Sequence, residues 1–182
     1  MAVIESTNER SAAGGSDLIL WLLVWSELAA FGILLTGFMV MSLMEPDSFA
    51  AAKLHLDVPL ASVNTVVLLT SGWLAAEAAR AKTEIWRRRT LLGSAALGFL
   101  FAAIKLIEYR GEIPFAGDAS LASFFELYFL ITGFHLAHVV FLALVMLLIA
   151  RKPAASNVAI VTTVWHVVDL VWLVIFPVVY LG

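Results

Sequence analysis

Residues 121–150 read LASFFELYFLITGFHLAHVVFLALVMLLIA. The run holds one carboxylate, Glu126, close to its start, and two histidines, His135 and His138; everything else is apolar, small or hydroxyl-bearing. A helix needs about 20 such residues to cross ~30 Å of hydrocarbon. This run exceeds that length, so it tilts or projects past the lipid. A membrane-spanning strand would need only ~10 residues and would alternate polar with apolar positions. No such alternation is present, and a transmembrane helix is the reading that remains.

Four more runs of the same kind lie on either side, at about 18–44, 58–79, 91–109 and 158–181. The composition agrees with them. The chain has 182 residues, of which 62% are hydrophobic and 14% charged, against about 25% charged in a soluble domain. A soluble globule of this size would leave large apolar patches in water. A net charge of -3 argues against nucleic acid as a partner, and the absence of cysteine excludes disulfides, thiolate metal sites and catalytic thiols. The expected fold is therefore all-α, a polytopic membrane protein with five transmembrane helices in a bundle. It forms one transmembrane domain over residues 17–182, after a polar cytoplasmic tail at residues 1–16.

Helix ends are marked by Ser16 and Asp17, whose side-chain oxygens suit an N-cap. Pro59 occupies the tolerated first turn of the second helix. Pro46, Pro114 and Pro153 read as loop residues, and Pro177 as a kink near the end of the fifth helix. Basic residues are unevenly distributed. Arg10, Arg80, Lys82, Arg87, Arg88, Arg89, Arg151 and Lys152 fall on one side, against Lys53 and Arg110 on the other, with Lys105 near the end of the third helix. Basic loops stay in the cytoplasm, so the N-terminus is expected inside and the C-terminus outside. No internal repeat is visible, which argues against an inverted-repeat transporter.

Function must reside in the few ionisable residues within the apolar runs, because each is costly in lipid without a partner. These are Glu27, Lys105, Glu108, Glu126, His135, His138, His166 and Asp169. Lys105 and Glu108, three apart, share a helix face and read either as a self-neutralising pair or as a lysine snorkelling to the interface. Glu126 reads as interfacial. His166 with Asp169 repeats the three-residue spacing, as do His135 and His138. At ~1.5 Å rise per residue, Glu27, His138, His166 and Asp169 lie at similar depth and allow one polar cluster. Interhelical hydrogen bonding is the common use of such residues. Proton relay is the functional alternative for Glu27. The histidines form no convincing metal or haem ligand set, and no nucleophile–base pair or phosphate-binding loop is present.

Several stretches together resemble subunit III of the haem–copper oxidase (cytochrome c oxidase) family, in its five-helix form. Thr132-Gly-Phe-His-Leu-Ala-His138 is similar to the family pattern TGFHGLHV, with Leu136-Ala137 in place of Gly-Leu. Trp165-His-Val-Val-Asp-Leu-Val-Trp172 is similar to WHFVDVVW almost letter for letter. Ser26-Glu27 with Phe31 and Gly37-Phe38, Asn64-Thr65 with Leu68-Leu69 and Ser71, and the segment Ile107-Glu-Tyr-Arg-Gly-Glu-Ile-Pro-Phe115 follow the family order. Trp25-Ser-Glu-Leu28 and Phe176-Pro-Val-Val-Tyr-Leu181 look closest to the NorE-type branch associated with nitric oxide reductase.

The resemblance implies a non-catalytic inner-membrane subunit of a haem–copper oxidase or nitric oxide reductase system. Such a subunit supports assembly, stability and proton uptake of a catalytic subunit I-type chain in respiratory electron transport. It implies no catalytic residue, no metal and no cofactor in this chain, with haem and copper or iron in the partner. The residues set apart as buried polar, proton-linked or interfacial are Glu27, Glu108, His135, His138, His166 and Asp169. Glu27 falls where larger members carry a buried carbodiimide-reactive carboxylate near the catalytic subunit. The two further N-terminal helices of seven-helix members are missing here, so their lipid-holding cleft is not expected from this chain alone. Two other readings stay open: an independent haem-binding electron carrier using His135 or His138 with His166, and a small proton- or ion-conducting protein using Glu27, His138 and Asp169.

Overall fold

The computed structural model describes the backbone of residues 2–182 and the side chains of Leu18 and of Trp21 onward. The elements are α1 (Ala2–Met44), α2 (Pro46–Lys53), α3 (Val58–Arg80), α4 (Glu84–Ala116), α5 (Ala122–Ile149), α6 (Ala155–Phe176) and a π-helical turn, Pro177–Leu181. Five stretches are long and apolar enough to cross a membrane: Trp21–Met44, Val58–Arg80, Glu84–Ala116, Ala122–Ile149 and Ala155–Leu181. The chain is a multi-pass helical membrane protein. Residues 2–16, expected as a polar tail, belong by their backbone to α1, so Ser16 and Asp17 lie within that helix rather than at its start; their side chains lie outside the described residues.

The termini of the central hairpin follow from local chemistry. Asp57 caps α3 by accepting the Leu60 N–H at 2.9 Å, and Thr83 caps α4 by accepting the Trp86 N–H at 3.4 Å. These caps satisfy amide groups that a helix start leaves free. At the Arg-rich end of the bundle, Arg87 donates to the carbonyls of Ala81 and Pro153, both at 2.9 Å, and so joins the α3–α4 and α5–α6 loops. At the opposite end, α2 is tied down by Ser48 donating to the Ser120 carbonyl and Lys53 donating to the Gly182 carbonyl.

Lipid supplies no hydrophobic drive between helices, so close packing and interhelical hydrogen bonds must hold them. Small residues allow it: Ala61, Ala75 and Ala78 of α3 and Ala95 of α4 are fully buried. Ser71 of α3 donates to the Ser94 carbonyl of α4 at 2.8 Å. A methyl group on Gly98 of α4 would stand 2.6 Å from Cη2 of Trp165; glycine is what lets α4 meet the α6 indole. Near α2, Phe38, Phe49 and Phe124 pack edge-to-face with centroids 5.2–5.6 Å apart, a favourable aromatic geometry.

Three of the proline expectations need correction. Pro46 starts the short helix α2 rather than sitting in a loop. Pro114 lies inside α4, which runs from Glu84 to Ala116 rather than over 91–109. The carbonyl left free by its missing N–H belongs to Arg110, an exposed residue near the helix end, where this loss is cheapest. Pro177 ends α6 and begins the π-helical turn, so the chain widens there instead of bending within a continuing α-helix. Pro153 is in the α5–α6 loop as expected.

Candidate functional site

Residues spaced by three and four fall on one helix face, and in α4 this face carries Phe101, Lys105, Glu108 and Glu112, all buried. The Lys105 side chain has no exposed surface, which rules out snorkelling and leaves the self-neutralising pair. Its ammonium lies 3.1 Å from Glu108 Oε1 and donates to the hydroxyls of Tyr128, at 2.7 Å, and Tyr180. Tyr180 donates to Glu108 Oε1 at 2.6 Å, and Tyr128 faces Glu112 Oε1 at 2.9 Å and Glu108 Oε1 at 3.2 Å. The rings of Tyr109, Tyr128, Trp172 and Tyr180 surround the ammonium with centroids 4.8–5.6 Å away, within cation–π range. The cluster thus joins α4, α5, α6 and the π-helical turn. The turn is what brings Tyr180 inward: its side chain is buried beside Tyr128, with ring centroids 6.0 Å apart.

Glu27 and His138 form a second pair, between α1 and α5, with Oε2 and Nε2 3.0 Å apart and about one-fifth of each side chain exposed. His138 Nδ1 lies 2.7 Å from the Phe134 carbonyl, a contact that needs a proton on Nδ1. Glu27 Oε2 is nonetheless without a hydrogen-bond partner among the described residues, so the two side chains meet by proximity across the α1–α5 contact.

His166 Nδ1 and Asp169 Oδ2 stand 3.8 Å apart on α6, at a groove also lined by Leu69, Gly72 and Trp73 of α3. The four residues expected to cluster thus separate into two pairs, because His138 turns toward α1 whereas His166 and Asp169 turn toward α3. His135, fully buried, joins neither pair. Its ring is enclosed by Phe31, Phe101 and Trp172 at centroid distances of 5.1–6.1 Å. That packing leaves no open face for a planar macrocycle beside the imidazole. Glu126 is exposed in the second turn of α5. Among the described residues, no three His, Asp or Glu side chains are grouped to hold a metal ion.

The residues that sequence reading missed are Glu112, Tyr128 and Tyr180. Read as a loop residue, Pro114 places Glu112 beyond the expected helix end at 109. The spacing 101, 105, 108, 112 was the available signal that the helical stripe continues past that end.

Several motif residues make helix–helix contacts. Thr132 accepts from the Tyr109 hydroxyl at 2.8 Å, Trp172 Nε1 donates to Thr65 at 2.9 Å, and Asn64 donates to the Phe101 carbonyl at 3.2 Å. The family model described as cytochrome c oxidase subunit III matches residues 11–182. The chain belongs to the cytochrome c oxidase subunit III family. Among its curated relatives, a probable cytochrome c oxidase subunit 3 of Nocardia farcinica is 30% identical over 173 residues, covering 89% of this chain and 84% of the relative. A probable quinol oxidase subunit 3 of Staphylococcus saprophyticus is 26% identical over 192 residues, covering 96% and 92%. A heme-copper oxidase subunit I+III of Aeropyrum pernix is 27% identical over 182 residues; the match covers 89% of this chain but 22% of that longer protein. In subunit III terms, the Lys105 cluster lies on the Glu-Tyr segment, and Tyr128 stands four residues before the TGFH-like motif.

Proposed function

We propose that the chain is a non-catalytic accessory subunit of a haem–copper respiratory complex in a bacterial-type inner membrane, N-terminus inside and C-terminus outside. It binds a subunit I-type catalytic chain that carries the haem and copper or iron, and it supports that chain's assembly and stability. The observation that carries this reading is that the subunit III motifs coincide with the contacts that fix one helix to another. Lys105, Glu108, Tyr128 and Tyr180 are engaged with one another, as a rigid scaffold requires. The fused I+III protein of Aeropyrum pernix supports a subunit I partner.

Support of proton uptake is assigned to Glu27 and His138, the partly exposed pair whose side chains approach to 3.0 Å between α1 and α5. On Trp25-Ser-Glu-Leu28 and Phe176–Leu181, we place the chain with the NorE-type branch, whose catalytic partner reduces nitric oxide.

The test is purification of the tagged chain from its native membrane in mild detergent, with an optical spectrum and partner identification on the same eluate. A haem signal that travels with a larger partner and leaves when that partner is stripped away is the expected result. A nitric oxide reductase partner supports the branch assignment, and an oxygen-reducing partner overturns it while leaving the accessory role. Glu27→Gln is expected to weaken assembly or turnover while the partner's haem signal persists. Haem retained by this chain alone overturns the accessory reading.

A further inference from the structure

Asp169 of α6 is 6% exposed, yet it accepts no hydrogen bond among the described residues. Its Oδ1 is buried without a partner, and Oδ2 has only the imidazole of His166, 3.8 Å away. The carboxyl lies within about 2 Å of the middle of Ala155–Leu181 at ~1.5 Å per residue. At that depth no water is available, and an unsatisfied polar group costs several kcal/mol. The site is also built to hold the carboxyl there: a Cβ on Gly72 of α3 would collide with Asp169 Oδ2, so only glycine at this position leaves Asp169 its place.

The groove between α3 and α6 encloses about 470 Å³, within the ~300–1,000 Å³ typical of small-molecule sites. It opens sideways toward lipid. Its walls are aliphatic apart from the Trp73 indole, and its polar contribution is Asp169 with His166. An occupant must dissolve in hydrocarbon, donate a hydrogen bond to a carboxyl and fit flat against an indole. A phospholipid headgroup fails this test, because its phosphate would have to leave the interface, roughly 15 Å away, for a depth at which a charged group is costly.

We propose that the α3–α6 groove binds a membrane-dissolved quinol. One phenolic hydroxyl donates to Asp169, the ring lies between Trp73 and Leu173, and His166 orients the hydroxyl at the groove mouth. This is a binding site only, with no electron transfer within this chain, and it goes beyond the accessory role proposed above.

The experiment uses the full chain in phosphatidylcholine nanodiscs with decylubiquinol under anaerobic conditions, counting bound quinol by liquid chromatography. Saturable binding near one quinol per chain is expected. Asp169→Leu removes the acceptor and is expected to weaken binding at least tenfold. Leu69→Trp fills the groove from a lipid-exposed position that folding does not need, and it is expected to do the same; it keeps the test decisive if Asp169→Leu does not fold. Glu27→Gln is expected to leave binding unchanged. The proposal is overturned by unsaturable binding, by binding as strong as the native chain's in both groove variants, or by equal retention of decylbenzene, which lacks the hydroxyls. It is also overturned if a cysteine placed at Leu69, in a chain without native cysteine, cross-links to a partner helix in the purified complex. That last result would assign the groove to the partner and leave the accessory role standing.

Discussion

The Lys105 ammonium of α4 donates to the hydroxyl of Tyr180, 75 residues further along the chain. Through it, the π-helical turn is bound to the middle of the polar stripe on α4. Both groups also meet Glu108 Oε1, so one carboxylate oxygen serves two helical elements.

Removing the cation alone is therefore expected to be severe. Lys105→Met leaves Glu108 and Glu112 buried without their counter-ion, and breaking a buried pair from one side costs about 3–5 kcal/mol. Replacing both partners with groups of similar shape is far less costly. Lys105→Met combined with Glu108→Gln is thus expected to recover part of the loss. Thermal unfolding in detergent of the native chain, Lys105→Met, Glu108→Gln and the double variant closes a double-mutant cycle; a double-variant loss equal to the sum of the two single losses would mean that the pair is not coupled.

The two phenols should rank in a definite order. Tyr180→Phe removes hydroxyl contacts to a charged pair, where such bonds contribute about 1.5–3 kcal/mol. Tyr128→Phe removes the same kind of contact and also leaves Glu112 without its phenol donor, so it should cost more. Unfolding midpoints of the two variants measured side by side give the order.

Close approach of α4 to α6 depends on Gly98. Gly98→Ala puts a methyl group 2.6 Å from the Trp165 ring, and overpacking of this kind costs about 1–3 kcal/mol. Trp165→Leu in the same chain makes room for the methyl group. The double variant is expected to lose less stability than the two single losses added together.

One pH effect lies outside the membrane. In the loop before α5, Asp118 accepts from the Ser120 N–H at 2.9 Å and from the Ser120 hydroxyl at 2.8 Å. These bonds hold its carboxyl below the usual range. A carboxyl depressed in the folded state stabilises it above the ordinary carboxylate pKa, and that contribution is lost as pH falls through the lowered value. The stability difference between the native chain and Asp118→Asn should be largest above pH ~5 and shrink toward acid. A difference independent of pH would show that the two hydrogen bonds do not depend on charge.

The five spans were legible because hydrocarbon thickness sets a length that no other structure of this composition meets. Glu27, His135, His138, His166 and Asp169 were legible as costly exceptions within those spans. Their pairing was not, because it depends on which helix faces which, and sequence spacing within one helix says nothing about that. His138 has a partner on α1, 111 positions earlier in the chain. Glu112 was missed for a different reason: Pro114 is a breaker by local propensity, and the buried bond from Tyr128 to Glu112 rewards a helix that propensity alone would end. Tyr180 was hidden because a π-helical turn shifts the expected side-chain direction.

The position of Tyr180 also bears on how the chain enters the bilayer. Synthesis runs from the N-terminus, so α4 and its three buried ionisable side chains must leave the insertion machinery before the Tyr180 hydroxyl exists to receive them. Lys105 and Glu108 stand one turn apart on the same helix and can neutralise each other while they wait. Glu112 has no counter-ion on its own turn, and its partner Tyr128 arrives with α5. The order of synthesis makes the contacts of Tyr128 and Tyr180 the last of this cluster that can form.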